Sequence, residues 1–510
     1  MNILLISPQK NIDIIGLRYI HYYLLKQGHN SSLLCLPNFN PKDSKSLKNI
    51  KNFVVNKNPG LIGLSLMSEE FFNARDITKH IKRFGSTPVI WGGIHPTISP
   101  ETCLKYADYV CIGEGEKSIL DLADNISKNK DIKNTKNICY LENGKVKRNQ
   151  LYPVIENLDD MPQYDHIPIN SFIQEKNGKI TPINKKIVKK YSRFIGAIYD
   201  VMSSRGCPFS CTYCCNDFIS NLYHTKKVRR RSVPNIISEL KKALKDNPQI
   251  EYINFMDDCF LSCTDEYLKE FCEIYKKQIK KLFWVKSLPI YVTHDRIKLL
   301  KDAGLVWVEL GLQSGSDRVC KEIYKRMSFK ANFLNAEKII VNLNIAVTCD
   351  VILDNPFENK EDKFETIQTL IETQKPFYPQ FFSLSLYLGS GLYEKAKKEC
   401  PEKIENSLKK DYLIYHNNII NDMIRLAAFL NKKHMNKIVH LYKQNPKGLK
   451  FKMILLISKL GSSIILEPIT YFKIIKMSQR GSYLRTFKIL PTYFKKGFMR
   501  YFNQFRINKY

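Results

Sequence analysis

The sequence reads as an α/β protein: a doubly wound parallel sheet, then a partial (β/α)6 barrel of the TIM type, then a basic helical C-terminal region. Three observations carry this reading. Short apolar runs alternate with helix-length segments over residues 2–128 and again over 196–386. Several of the apolar runs end on glycines or small polar residues. After about residue 405 the alternation stops and the chain turns basic and aromatic. Strands alternating with helices of this length predict parallel sheets with helical crossovers. The chain accordingly divides into a Rossmann-type unit at 1–135, a hairpin and linker at 136–195, the barrel at 196–405 and the basic aromatic-rich region at 406–510.

The elements follow in order. Residues 2–7 form a first strand. Residues 13–27 have helical spacing and stop at Gly28. Strands follow at 32–36 and 60–66, and a helix at 69–84 ends before Gly85. The strand at 89–91 runs into Gly92-Gly93. The strand at 109–112 runs into Gly113-Glu114-Gly115-Glu116, with a helix at 117–126. Residues 138–148 read as a hairpin turning at Asn143-Gly144, and the acidic, proline-bearing stretch 156–168 as a linker. Barrel strands are expected at 197–203, 252–256, 283–286, 306–312, 345–353 and 381–386. Helices are expected at 234–244, 265–280, 295–303, 333–343 and 361–373. Six such units make an open barrel rather than a closed eight-unit one. Both architectures bind ligands beyond the carboxyl ends of their strands.

Composition bounds the function. The 510 residues are 44% apolar, which excludes global disorder. The formal net charge is +31, and residues 431–510 hold 18 Lys and Arg against one acid, Glu467. Basicity concentrated in one region points to a partner of that region. The start, MNILLISPQK, lacks a basic leader and reads as a strand, so no secretory signal is expected. The most apolar stretch, 453–475, is broken by Lys459, Gly461, Glu467-Pro468 and Lys473, which argues against a spanning helix. Fourteen cysteines without a signal favour a reducing cytoplasm, with some thiols held for metal or redox chemistry.

The strongest motif is Cys207-Pro-Phe-Ser-Cys211-Thr-Tyr-Cys214, three cysteines on one short loop after a strand. Three thiolates can hold three irons of a [4Fe-4S] cluster and leave the fourth open. Zinc is the competing reading, but it wants four ligands, usually in two pairs. Cys215 could be a fourth ligand only with difficulty, because adjacent cysteines chelate one metal poorly. Cys259 and Cys263, spaced by three, lie on the loop after the second barrel strand with no further ligands to complete a second cluster.

The spacing, with an aromatic before the last cysteine and Ser204-Arg205-Gly206 ahead of the first, resembles the radical S-adenosylmethionine superfamily. That resemblance implies Cys207, Cys211 and Cys214 as cluster ligands, with Tyr213 near the cluster and adenine. It implies that Asp257 and Asp258, closing the second barrel strand, approach the methionine amino group. It places Gln313, Ser314 and Gly315 at the ribose, where most relatives have Glu for Gln313, and Asp354 at the end of the fifth strand. The first domain is similar to the cobalamin-binding domain of one large subclass, on Trp91-Gly92-Gly93-Ile-His95-Pro96 and Ile112-Gly113-Glu114-Gly115-Glu116. Gly92, Gly93, Gly113, Glu114 and Gly115 would then contact cobalamin. The Asp-x-His-x-x-Gly motif that ligates cobalt is absent. His95 is either a ligand or a packing residue.

What the resemblance implies is an enzyme using a [4Fe-4S] cluster, S-adenosylmethionine and cobalamin, with an external electron donor of flavodoxin or ferredoxin type. The expected outcome is methylation of an unactivated carbon on a small molecule or lipid. No catalytic residue is assigned. Alternatives are a radical enzyme without cobalamin (cyclisation, rearrangement or RNA modification) and a non-catalytic iron–sulfur protein docking on membrane or RNA. Cations interleave with aromatics from Tyr471 to Arg506. That pattern fits an anionic membrane surface, hence a peripheral position at the inner membrane, or a cap packed on the barrel; nucleic acid fits less well.

Overall fold

The computed structural model describes residues 1–192, 196–404 and 412–481. Two sheets organise them. Nine strands make the first: β1 (Asn2–Ser7), β2 (Asn30–Cys35), β3 (Leu61–Ser65), β4 (Val89–Gly92), β5 (Tyr109–Cys111), β6 (Ile138–Glu142), β7 (Lys145–Arg148), β8 (Ser171–Gln174) and β9 (Ile180–Pro182). Their order is β7-β6-β5-β4-β3-β1-β2-β8-β9. The pairs from β5 across to β8 are all parallel, and β6, β7 and β9 add antiparallel edges. Strand order reverses between β1 and β3, so the topological switch point lies beyond Ser7 and Ser65. Strands β1 to β4 are buried nearly throughout, as expected of a sheet covered on both faces.

The hairpin expected at 138–148 is β6–β7, and it extends the sheet rather than standing apart. The stretch 156–168 is not a solvated linker. Ile155, Leu158, Met161 and Tyr164 are buried in one cluster with Tyr19 of the first helix and Tyr199 and Ile236 of the barrel. Its apolar residues recur every three or so positions, and that spacing outweighs its acidic look. The helix Ser44–Lys57 was not legible in the sequence; it buries little beyond Ile50 and Val54, and its other positions are largely Lys and Asn.

The second sheet holds β10 (Ile198–Val201), with the small ribbon β11 (Ser204–Arg205) and β12 (Arg229–Arg230) beside it. It continues through β13 (Tyr252–Phe255), β14 (Leu282–Ser287), β15 (Leu305–Gln313), β16 (Ala346–Leu353) and β17 (Tyr378–Ser383). The order is β10-β13-β14-β15-β16-β17, all parallel and in chain order. Right-handed crossovers between sequential strands put every helix on one face. The other face then becomes the inside of an open barrel. The last strand starts three residues earlier than expected, at Tyr378, because its pairing with Thr348–Leu353 sets the register.

The C-terminal helices Ile419–Phe429, Lys432–Gln444, Leu449–Gly461 and Glu467–Ser478 pack on the barrel. Ile474 joins Trp307 and Ala346, near the starts of β15 and β16. The last helix therefore covers the amino ends of those strands, opposite the cysteine loop. The aromatic and basic residues from 482 onward, named above as a membrane or cap signal, lie outside the described residues. No described helix is long and apolar enough to cross a membrane.

Candidate active site

The site begins where β10 leaves the sheet. Ser203 and Ser204 donate backbone N–H groups to Asp257 Oδ1 at 2.7 and 3.1 Å, and the Ser203 hydroxyl donates to Asp257 Oδ2. Arg230 stands 3.5 Å from the same carboxylate. Asp257 is 1% exposed. Its carboxylate, expected at a methionine amino group, is taken up by the start of the cysteine loop.

The loop itself is pinned at Thr212. Its N–H donates to the Tyr324 carbonyl (3.0 Å), its hydroxyl to the Ile323 carbonyl (2.6 Å), and its own carbonyl accepts from Leu392 N (2.8 Å). Cys214 N closes a turn on the Cys211 carbonyl (2.9 Å). Tyr213 packs edge-on to Tyr324 at 4.8 Å. The fixed loop presents Cys207, Cys211 and Cys214 as free thiols, Cys211 buried and the other two half-buried. Among the described residues no three His, Cys, Asp or Glu side chains converge on a point where a single ion could sit. A [4Fe-4S] cube takes each thiolate on a different iron, so it needs no such convergence. Three unbridged thiols on one loop fit that group.

Four charged side chains project inside the barrel beside this loop. Lys286 and Glu309 stand 3.4 Å apart, on residues paired across β14 and β15. Asp350, on β16, is buried, and its Oδ1 has no hydrogen-bond partner. Burial, with Glu309 nearby, pushes its carboxyl well above the ordinary value, although Lys286 and Arg326 oppose this. Arg326 donates to the Gly311 carbonyl at 2.7 Å and to Tyr213 Oη at 3.3 Å. Asp258 is exposed yet hemmed in by protein, which raises its carboxyl against the pull of Asn216 and Lys286. Exposure together with desolvation marks the wall of a cleft. None of Lys286, Glu309, Arg326 or Asp350 was singled out from the sequence. For Glu309 and Asp350 the available signal was a charge inside an apolar barrel strand; Arg326 lies on the loop after Val319–Ile323 and gave none.

The other expected residues divide. Gln313 ends β15 with φ +66° and folds its amide back over Gly311, where a Cβ would meet Nε2 at 2.5 Å. It stays at the cleft mouth. Ser314 and Gly315 do not: the Ser314 hydroxyl donates to Glu358 at 2.9 Å, and Gly315 N to Thr366 at 2.8 Å, against the helix Lys360–Glu372. Asp354 turns away as well. Its carboxylate accepts from Ser383, from His416 N (2.9 Å) and from Asn421 (2.8 Å), tying the C-terminal helices to the barrel.

In the first domain the glycine loop after β5 faces the barrel. Glu114 receives Arg229 at 2.7 Å, Arg205 at 3.3 Å and the N–H of Ile155 at 2.9 Å. Burial pushes its carboxyl up, but the two guanidiniums hold it below the ordinary value. Glu116 receives Arg205 at 2.7 Å. Tyr223, just past the helix Cys215–Leu222, accepts from Glu114 N at 2.8 Å. Its hydroxyl fills the space a Cβ on Gly113 would need, at 2.0 Å. Glu114, expected at cobalamin, has its side chain in a clamp between the two domains. Gly115 packs on Ile20 and Cys111. Gly93 takes φ +98° with its missing Cβ against the Leu66 backbone, and Gly92 faces Cys111. His95 is enclosed, 1% exposed, its Nδ1 on Ser68 at 3.0 Å and its Nε2 without a partner. Burial lowers it to about 4. Its ring packs against Phe71 at 4.9 Å.

The chain matches the B12 binding domain over residues 1–123 and the Radical SAM superfamily over residues 201–370. It is 26% identical over 430 residues to an uncharacterized methyltransferase of Pyrococcus horikoshii, covering 78% of this chain and 87% of that one. It is 24% identical over 428 residues to the cytidylyl-2-hydroxyethylphosphonate methyltransferase of Streptomyces wedmorensis, covering 76% and 77%. Among solved structures it superposes on the cobalamin-dependent S-adenosylmethionine radical enzyme OxsB, bound to aqua-cobalamin and S-adenosylmethionine. The TM-score is 0.65 at 16% identity, covering 99% of this chain and 81% of that one. The radical S-adenosylmethionine methyltransferase TsrM of Kitasatospora setae, with cobalamin and a [4Fe-4S] cluster, gives 0.62 at 16% identity over 78% and 75%. These two likenesses concern the fold.

Proposed function

We propose that this chain, a B12-binding radical S-adenosylmethionine protein, methylates an unactivated carbon of a small molecule or lipid. The reading rests on one observation above the others: the cysteine loop and the glycine loop of the B12 domain are bolted to each other through Arg205, Arg229 and Tyr223. Two strand ends held face to face suit chemistry in which a substrate carbon between them would lose a hydrogen atom to the deoxyadenosyl radical on one side and take a methyl group from cobalamin on the other. The methyltransferase relatives support the same outcome.

When bound, the cluster and S-adenosylmethionine supply a 5′-deoxyadenosyl radical and cobalamin supplies the methyl group, an external donor having provided the electron. The protein's share is binding and exclusion. Cys207, Cys211 and Cys214 hold the cluster on a loop that Thr212 keeps rigid. Tyr213 and Arg326 back that loop. Asp258 and the Lys286–Glu309 pair line the adjacent wall and orient charged groups of S-adenosylmethionine. Gln313 offers an amide to hydroxyls without adding charge. The Glu114 clamp fixes the distance between the domains, because a reaction of this kind loses rate steeply with small misplacements.

Anaerobic reconstitution with iron, sulfide and hydroxocobalamin tests the reading. Stoichiometric cobalamin in the visible spectrum, with both 5′-deoxyadenosine and S-adenosylhomocysteine formed under reductant, supports methyl transfer. Deoxyadenosine without bound cobalamin withdraws the methylation and leaves the radical chemistry.

A further inference from the structure

The C-terminal region carries a feature the catalytic reading does not use. From Leu449 to Gly461 a helix runs on through residues 462–466 into Glu467–Ser478. Leu449, Met453, Leu456, Ile457, Leu460 and Ile464 are each more than half exposed. Their spacing of three, four and seven residues makes one stripe on one helix face, and a wider π turn at Ser462–Leu466 rotates the exposed Ile465 and Ile469 toward the same side. The opposite face buries Phe451, Leu455 and Ser458 against the protein. The stripe is therefore not a misplaced core face; the helix has a core face already. Monomers rarely expose contiguous apolar patches beyond a few hundred Å², and larger ones mark contact with protein or membrane.

Charge selects between those partners. At about 100° per residue, Lys450 falls on one flank of the stripe and Lys452 on the other, beside Lys459, whose charge is matched by Asp422 at 2.6 Å. Lys450 and Lys452 are exposed. Residues 431–481 hold eleven Lys and Arg and one acid, Glu467, whose carboxylate is held by Arg425. A second copy of this face would bring like charges together. Residues 482–510 add seven Lys and Arg and no acid, so the chain's own end carries the same sign. An apolar stripe rimmed by lysines suits a helix lying in the headgroup region of an anionic bilayer, its stems reaching back to the phosphates.

We propose that the stripe from Leu449 to Ile469 docks this protein on an anionic lipid surface, in the plane of the interface and without crossing it. This does not depend on the catalytic reading, since the helix covers the end of the barrel away from the cysteine loop. The test uses the purified full chain and two vesicle preparations: phosphatidylcholine alone, and phosphatidylcholine with one-third phosphatidylglycerol. Wild type should float with the anionic vesicles and release with rising salt. The double variant Leu456→Glu, Leu460→Glu should bind about tenfold more weakly or worse. Both sites are exposed, so its thermal unfolding should match wild type, and Ile464→Glu offers an independent check. Failure of wild type to float with anionic vesicles overturns the proposal. So does equal flotation of the double variant, which would move the contact elsewhere. A solution dimer abolished by the double variant, without vesicle binding, would reassign the face to a contact between copies.

Discussion

The two sheets direct their carboxyl ends at each other, yet they offer different material there. The barrel offers side chains: three thiols, the Lys286–Glu309 pair, Asp350 and Asp258. The first domain offers mainly backbone: Gly92, Gly93, Gly113 and Gly115 let neighbouring protein atoms, Tyr223 Oη among them, approach the loops closely, while the carboxylates of that loop face the barrel's arginines. The difference follows from what each end is built from. A cluster is held by covalent ligands of one chemical type, so its residues are few and specific. The glycines serve close approach of neighbouring elements, as Tyr223 does at Gly113.

Removing a cluster ligand should break the comparison most completely. Cys211→Ala is expected to abolish cluster absorbance and to lower 5′-deoxyadenosine formation by at least about a thousandfold. Cobalamin binding to the first domain should persist, as visible spectroscopy would record. Loss of both cofactors together would mean that the two ends are not separable.

Next in size is the clamp. Glu114→Ala strips Arg205 and Arg229 of a buried partner, for which a loss of about 3 kcal/mol is the expected scale. Denaturant unfolding measures this. Glu114→Gln should lose less stability but lower the ratio of methylated product to deoxyadenosine, because the domains would no longer be held in one register. An unchanged ratio would show that the clamp serves stability alone.

Gly113→Ala sharpens the claim that the glycines act by clearance. Its Cβ would lie 2.0 Å from Tyr223 Oη at φ +74°, and a loss of about 2 kcal/mol is expected. Pairing it with Tyr223→Ala should recover part of that loss in a double-mutant cycle. Recovery would be incomplete, since the positive φ remains unfavourable for alanine.

The last effect is one of pH and is confined to the acid side. His21, His95 and His166 are each lowered to about 4, chiefly by burial. Between that value and the ordinary 6.5 the unfolded chain binds protons that the folded one refuses, so stability is whole above pH 6.5 and falls as the pH drops toward 4. Each histidine can contribute up to about 3 kcal/mol over that window. His95→Gln should flatten the acid side of the stability profile, read as melting temperature against pH. It should leave the visible spectrum of bound cobalamin unchanged, which distinguishes packing from cobalt ligation.

Legibility in the sequence followed the range of the interaction. Strand order in the barrel, the β6–β7 hairpin and the cysteine loop are encoded within a few residues, by period, turn chemistry and spacing. The helix Ser44–Lys57 was missed because its apolar stripe is thin. Among the proposed ligand residues, Asp258, Gln313 and Tyr213 sit at the cleft, whereas Asp257, Asp354, Ser314 and Glu114 hold the scaffold. A carboxylate at a strand end looks the same in either role.

The sequence by itself determined the two domain types, their order and the residues able to hold a cluster, because local pattern and side-chain chemistry suffice for these. Only the tertiary structure decided which charged groups face the cleft and which are matched to partners. Glu114 meets Arg229 across 115 positions, and Asp257 meets Ser203 across 54. Such pairings depend on how whole elements stack. Desolvation then separates the carboxylates: Asp257 is buried among donors, whereas Asp350 is buried with one oxygen lacking a donor, which pushes its carboxyl up.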